Sequence, residues 1–462
     1  MHKIVHLDLK GAPLKIPFLE QVLKTAKTWG CTGVLLEWED TFPYTGDLVN
    51  IGSIGGSSGD EMYSMEEVHH ILWFIKNIGL EPIHLIQTIG HMEFVLKHPA
   101  FHDLREEPKT PAVLCPSKPQ SLTLVKKMLQ QALDVQPDAK YFHIGADEVW
   151  HTGVCEQCHN RAITNEHKVP SLYLQHIREI VTFLKQQRPE LIVLMWDDML
   201  RSINIHTLEH YKIGDLIEPV VWNYNVKEHF QIEYHLWDTY KKLFPNVWVG
   251  SAFKGANGSC QVLSPVTRYV SNQQAWLREI RSTSNKINFA GVILTGWSRY
   301  DHYATLCELL PVAMPSLSCC LLYWKSADEH IEDEFQVSEV LPEAEWAGRR
   351  LALCVHSFVM LRDRARQLLD GDPVATWLNP WQLKHGYTSP AQVEGIAGSS
   401  YAIWTDLKFL HEDMLKEFPK ITGKRSSDEW MESYFTPLFK RISDLHEAAS
   451  VRCNTPASVR PS

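Results

Sequence analysis

Tyr141-Phe142-His143-Ile144-Gly145-Ala146-Asp147-Glu148 is a short apolar run that ends in two adjacent carboxylates. Being apolar at nearly every position, it suits a strand buried on both faces, as in a parallel sheet covered by helices. Seven other runs share this character, so the expected strands are 4–9, 33–38, 82–87, 141–145, 191–196, 220–224, 247–252 and 291–295. Helical periodicity separates them at 18–29, 64–78, 121–133, 171–187 and 268–282. Ser64 stands three residues before Glu67, the spacing of a capping box. Eight such units in about 320 residues predict a (β/α)8 TIM barrel, α/β in class. A doubly wound open sheet is the alternative. The barrel is preferred because Asp8, Glu37, His91, Asp147, Glu148, Asp197, Asp198, Tyr224, Lys254 and Trp297 cluster at or after strand ends. Barrels build their sites at those strand ends.

The expected division is a barrel over 1–325 and a helical C-terminal region over 326–462. The boundary falls in the acidic stretch 327–339, read as a linker or solvated first turn. Helices are expected at 344–369, 400–416 and 428–449, packed on the barrel or on a second subunit of a homo-oligomer. Residues 454–462 read as frayed. The segment 51–60, with Gly52, Gly55, Gly56 and Gly59, lacks the Lys-Ser or Lys-Thr ending of a phosphate cradle. It reads as a mobile loop that could act as a lid.

Composition removes several function classes. The 462 residues carry 45 Lys plus Arg against 55 Asp plus Glu, a formal charge of -10, with no basic block. Binding nucleic acid by neutralising phosphates is therefore not expected. No stretch approaches ~18 apolar residues, so no membrane span is expected. The start Met1-His2-Lys3-Ile4-Val5-His6-Leu7-Asp8 does not read as a secretory signal, because Asp8 interrupts a short apolar run. The ten cysteines do not suggest a disulfide frame, which favours a reducing compartment. Asn257-Gly258-Ser259 fits a glycosylation sequon that such a compartment would leave unused. Sixteen tryptophans offer walls for flat, weakly polar ligands such as sugars, although tryptophan is equally a core residue.

Two anions side by side near apolar surroundings cost free energy unless one is protonated or both are hydrogen-bonded. Their coupling drives the two pKa values apart, so one can serve as an acid while the other stays ionised. The alternative is an Asp-Glu cap on the next helix. Glycosidases usually set their carboxylates on opposite sides of the scissile bond, ~5–5.5 Å apart for retention and ~6.5–9.5 Å for inversion. Neighbours on one strand end cannot easily do that. They suit a scheme in which the substrate's 2-acetamido oxygen is the nucleophile, one carboxylate protonates the leaving oxygen and the other holds the acetamido N–H.

The segment 143–148 resembles the His-x-Gly-Gly/Ala-Asp-Glu signature of family 20 glycoside hydrolases, the β-N-acetylhexosaminidases. Segments 1–13, 90–98, Trp196-Asp197-Asp198-Met199-Leu200, 251–256 and 294–303 extend the resemblance through about residue 322. They are similar to a nucleocytoplasmic branch of that family that favours galactosamine-type substrates. The resemblance implies a retaining exo-enzyme that removes terminal N-acetylgalactosamine or N-acetylglucosamine from glycans. It implies Glu148 as general acid/base and Asp147 as the carboxylate that orients the acetamido group. His91 and His143 correspond to pocket histidines, and Trp196, Trp222 and Trp297 to aromatic walls. The implied chemistry needs no metal or other cofactor.

The sequence departs from the family pattern in three places. After the seventh strand the family's Tyr-x-Asp is absent, and Ser251-Ala252-Phe253-Lys254 stands there. Tyr224 is the candidate substitute. Asp8 occupies the position of a sugar-binding Arg, and Trp297-Ser298-Arg299 replaces a Trp-x-Glu. Asp8, Arg299 and Asp301 are therefore the candidates for reading the sugar hydroxyls.

Cys155-Glu156-Gln157-Cys158-His159 has the form of a haem attachment site, and Cys-x-x-Cys could be half a zinc site. No second Cys pair has suitable spacing, so an incidental loop pair is expected. Two other functions compete with hydrolysis. A catalytically weak sugar-binding protein could use the same barrel, but the intact Asp147-Glu148 pair argues against it. A metal-dependent amidohydrolase would carry His-x-His after the first strand, where this chain has His6-Leu7-Asp8.

Overall fold

The computed structural model describes residues 1–52, 62–328 and 345–460. The chain divides into two compact units, Met1–Ala347 and Gly348–Ser462. Most of the glycine-rich segment 51–60 and of the acidic stretch 327–339 lies outside the described residues.

In the first unit eight parallel strands close into a barrel. They are β1 (His2–Asp8), β2 (Gly33–Glu37), β3 (Glu81–Leu85), β6 (Tyr141–His143), β7 (Ile192–Trp196), β8 (Glu218–Trp222), β9 (Val247–Lys254) and β10 (Phe289–Gly296). Their order is β1-β10-β9-β8-β7-β6-β3-β2, with β2 returning to β1. The doubly wound alternative is thereby excluded. Each strand is almost wholly buried because helices such as Ile16–Thr28, Pro119–Asp134 and Lys168–Gln187 cover the outer face. Ser64 caps the helix Met65–Asn77 in a reciprocal box with Glu67.

Alternate residues fill the barrel. Ile4, Leu35, Ile83, Leu85, Leu194, Trp196, Val220, Trp248 and Ile293 form one buried cluster. At the N-terminal mouth Trp248 stacks on His2 at 5.5 Å. A Cβ at Gly291 would come 2.3 Å from the Trp248 ring, so only glycine leaves that indole its place. Two residues further along the same alternation the apolar side chains give way to His6, Glu37 and Gln87. The barrel thus has a packed lower half and a polar upper mouth.

Between β3 and β6 lies a feature not expected from the sequence, an antiparallel hairpin of β4 (Arg105–Glu107) and β5 (Thr110–Leu114). The second unit is helical as expected. Its long helices are Arg349–Leu369, Pro390–Glu417 and Thr436–Cys453, with a core that includes Val393, Ile396, Leu445 and Ala449. The helix expected over 428–449 is broken by a π turn at Met431–Phe435, just before Pro437, whose missing N–H cannot continue an α-helical ladder.

Candidate active site

The strand β6 ends at His143, two residues earlier than expected, because Gly145 and Ala146 turn into the left-handed region with φ of 63° and 68°. Glu148 is also left-handed, at 48°. These turns bring two sequence neighbours to one cavity instead of opposite sides of a strand. A non-glycine residue in this region costs ~1–3 kcal/mol, strain that concentrates at functional sites. The next helix begins only at Glu156, so the pair does not cap a helix. The turn is braced on several sides. Gln87 accepts the Ala146 N–H at 3.2 Å and donates to Asp147 Oδ1 at 3.1 Å. Tyr173 donates to the Ala146 carbonyl at 2.8 Å. A Cβ at Gly145 would lie 2.0 Å from Gln87 Oε1.

His91, itself left-handed at φ 50°, brings the two carboxylates together. Its Nε2 lies 3.2 Å from Glu148 Oε2 and 3.4 Å from Asp147 Oδ2. One ligand atom from each of these three residues lies within 4.8 Å of the others. Burial alone would lower the His91 pKa, but Asp147 and Glu148 outweigh it and raise the pKa to about 10. Asp147, with a side chain only 10% exposed, is pushed up by burial against the pull of His91. Glu148, with a side chain 40% exposed, is held below the usual range chiefly by its hydrogen bond to His91. The two pKa values lie apart, but through burial of Asp147 and the His91 hydrogen bond to Glu148 more than through repulsion between the two carboxylates. Their order in the free site is reversed from an acid at Glu148 and an anion at Asp147.

The cavity has a volume of about 270 Å³. That is near the lower end of small-molecule pockets, as a monosaccharide site would be. Trp196, Trp222 and Trp297 form its walls, with Tyr224. Tyr224 stacks on Trp222 at 5.2 Å, and burial pushes its hydroxyl pKa up, so it remains a proton donor. Asp198 links wall to turn, accepting the Glu148 N–H at 2.8 Å and the Trp222 indole N–H at 3.2 Å. Arg299 also lines the cavity, donating to the carbonyls of Lys10 at 3.0 Å and Ala304 at 2.8 Å.

Three expected site residues do not face the cavity. His143 is fully buried beneath it, packed on Trp196 at 4.5 Å, with Nδ1 accepting the Gly145 N–H. Asp8 is spent on the Lys10 and Ser298 N–H groups at 3.1 and 2.8 Å. Asp301 accepts the N–H groups of Tyr303 and Ala304 within its own turn. Glu37 and Lys10 occupy the wall near Asp8 instead. Lys10 lies 3.3 Å from Asp8, 3.9 Å from Glu37 and 5.0 Å from the Trp297 ring centre. Burial would raise the Glu37 pKa, but Lys10 and His6 bring it down to about 2, so this wall carries a fixed anion and a fixed cation. Gln87, Asn225, Arg268 and Tyr300 also line the cavity and were not singled out from the sequence. The only advance signal for Lys10 and Gln87 was their position just beyond strands β1 and β3.

Comparison with known proteins places the chain among relatives of known type. The chain is 34% identical over 459 residues to Hexosaminidase D of Homo sapiens, covering 96% of this chain and 93% of that one. It is 39% identical over 320 residues to Hexosaminidase D of Bos taurus, covering 69% and 90%. A family described as Domain of unknown function (DUF4838) matches residues 84–197. Among solved structures, the barrel resembles the β-N-acetylhexosaminidase of Bacteroides fragilis, with a TM-score of 0.50 at 17% identity, covering 72% of this chain and 70% of that one. It also resembles the chitobiase of Flavobacterium johnsoniae, with a TM-score of 0.51 at 14% identity, covering 100% and 73%. The chain is a glycoside hydrolase built on a closed parallel barrel. It belongs to the hexosaminidase D family. No described helix is long and apolar enough to cross a membrane.

Proposed function

We propose that the chain is a retaining exo-β-N-acetylhexosaminidase of the family 20 type, in which the substrate's 2-acetamido oxygen attacks the anomeric carbon. The observation that carries this reading is the shared contact of Asp147 and Glu148 with one nitrogen of His91. Carboxylates this close leave no room for an anomeric carbon between them, so the enzyme supplies no opposing nucleophile from this pair. The acetamido arm lies among Trp196, Trp222 and Trp297, where dehydration and confinement turn its attack into an intramolecular step. Asp147 accepts the acetamido N–H and stabilises the positive charge that develops on the arm. Tyr224 donates to the acetamido carbonyl. Lys10, Glu37 and Arg299 face the sugar hydroxyls.

Glu148 protonates the leaving oxygen and later deprotonates water. In the free site its proton resides on His91. A bound sugar covers the exposed Glu148 carboxyl, and desolvation draws the proton from Nε2 along the 3.2 Å hydrogen bond between them. None of the ten cysteines is in a disulfide, in keeping with a reducing, nucleocytoplasmic compartment. The substrates are glycans or glycoconjugates ending in β-linked N-acetylgalactosamine or N-acetylglucosamine.

The test is nitrophenol release from nitrophenyl N-acetyl-β-galactosaminide and its α-anomer. Turnover of the β-anomer alone is expected. Saturable sugar binding without turnover would instead favour a sugar-binding protein.

The proton arrangement predicts a bell-shaped profile of kcat/KM against pH. Activity falls on the acid side as Asp147 takes a proton, above the ordinary aspartate range because burial raises it. It falls on the alkaline side as His91 loses its proton near pH 10. Replacing His91 with Gln should move the alkaline limb down by several pH units, since Glu148 must then keep the proton unaided. An alkaline limb unmoved in H91Q would remove the imidazole from proton supply.

A further inference from the structure

Away from the cavity, the structure adds a third sulfur to the pair expected to be incidental. Cys155 is the N-cap of the helix Glu156–Thr164, and its Sγ accepts the Cys158 N–H at 3.4 Å. Cys115, forty residues earlier and immediately after β5, brings its Sγ to 3.5 Å from both Cys155 Sγ and Cys158 Sγ. Four ligands at ~2.3 Å from a tetrahedral zinc ion lie ~3.8 Å from one another, close to these spacings and far from a disulfide bond of ~2.05 Å.

The fourth corner is Glu106 on β4. One ligand atom from each of Glu106, Cys115, Cys155 and Cys158 lies within 4.8 Å of the others. Glu106 is 1% exposed. Its Oε1 accepts the N–H groups of Gly153, Val154 and Cys155 at 2.9, 2.7 and 3.1 Å. Its Oε2 is buried beside the Cys115, Cys155 and Cys158 thiols and meets no donor at full hydrogen-bond geometry. A carboxylate oxygen in this setting is costly unless a thiol proton or a cation meets it, and a cation would satisfy the oxygen and the sulfurs together. Around the cluster, Ser117 Oγ lies 2.9 Å from Cys158 Sγ and accepts from Arg161 at 2.8 Å, a positive group near a set of anionic ligands.

We propose that Glu106, Cys115, Cys155 and Cys158 bind one zinc ion as a closed structural site. Four protein ligands leave no open position, so the ion takes no part in hydrolysis. Its place explains its use. The hairpin that carries Glu106 and leads to Cys115 is tied to the His91 segment by Met92 N–H to Ala112 at 3.0 Å and Leu114 N–H to Ile89 at 2.9 Å. Cys155 and Cys158 lie in the connection that follows Asp147 and Glu148. The ion would clamp the loop holding His91 to the loop holding its two carboxylate partners. Haem attachment is a poor fit, since Cys158 is fully buried.

The test is elemental analysis of the full chain, expressed and purified without a metal-affinity tag. About one zinc per chain is expected. Replacement by cobalt should give the visible absorption of tetrahedral cobalt-thiolate. Cys115→Ser and Cys158→Ser should each lose the metal, and Glu106→Gln should weaken its retention against a chelator. The exposed Cys260→Ser should keep it. If the serine variants fail to fold, zinc content and the cobalt spectrum of the unaltered chain decide. A folded, reduced chain that holds no zinc and takes up neither zinc nor cobalt overturns the proposal, as does a disulfide within this trio. Each readout is independent of activity, so the zinc site can fail while the proposed hydrolysis stands.

Discussion

Glu148→Gln is expected to lower kcat on an N-acetylhexosaminide with a poor, alkyl leaving group by ~10²–10⁴, or about 2.7–5.5 kcal/mol of transition-state stabilisation. Glutamine keeps the shape of the side chain but cannot give up a proton. The backbone N–H of residue 148 can still donate to Asp198, and the side chain is 40% exposed, so the turn should persist. Melting temperature should change little. The loss should shrink when the leaving group is nitrophenolate, which departs with little protonation. Leaving-group dependence of kcat in E148Q is the measurement, and an equal loss for alkyl and aryl leaving groups would remove Glu148 as the acid.

Asp147→Asn should cost ~10²–10³ in kcat, the order found when one preorganised electrostatic partner of a transition state is removed. The defect differs in kind. Asparagine can still accept from Gln87, but it brings no negative charge to the acetamido arm as that arm becomes cationic. It also takes one of two anions from His91, whose pKa should fall. Because the arm attacks before or as the leaving group departs, alkyl and aryl substrates should suffer alike. The contrast between D147N and E148Q across one substrate series therefore separates the two roles, and identical patterns would show that they had been wrongly divided.

Much of the barrel was legible because each strand is a nearly unbroken apolar run, the mark of burial on both faces. The hairpin β4–β5 was not, since Arg105-Glu106-Glu107 gives no apolar signal and only its tertiary contacts make it a strand. Asp147 and Glu148 stood out as charges ending a buried run. Their shared imidazole did not, because His91 reaches them through left-handed backbone that its own sequence does not encode. Trp196, Trp222, Trp297 and Tyr224 line the cavity, whereas Asp301 is consumed by backbone N–H groups of its own turn, a competition short acidic side chains often enter, and Asp8 by the N–H groups of nearby Lys10 and of Ser298 on the far side of the chain. Lys10 went unnoticed because an isolated lysine beside a glycine reads as solvated surface. Only the fold shows it sealed among Asp8, Glu37 and Glu39. Cys115 escaped for a similar reason, standing alone and forty residues from the pair it joins.

The central claim is that the sugar's own acetamido oxygen is the nucleophile. Its most direct test is kcat/KM for a series of nitrophenyl glycosides in which the acetyl methyl carries no, one, two or three fluorines. Fluorine withdraws electrons from the carbonyl oxygen while changing its size little. A steep, progressive fall in kcat/KM along the series is the predicted result, and rates that ignore the fluorines would contradict the account.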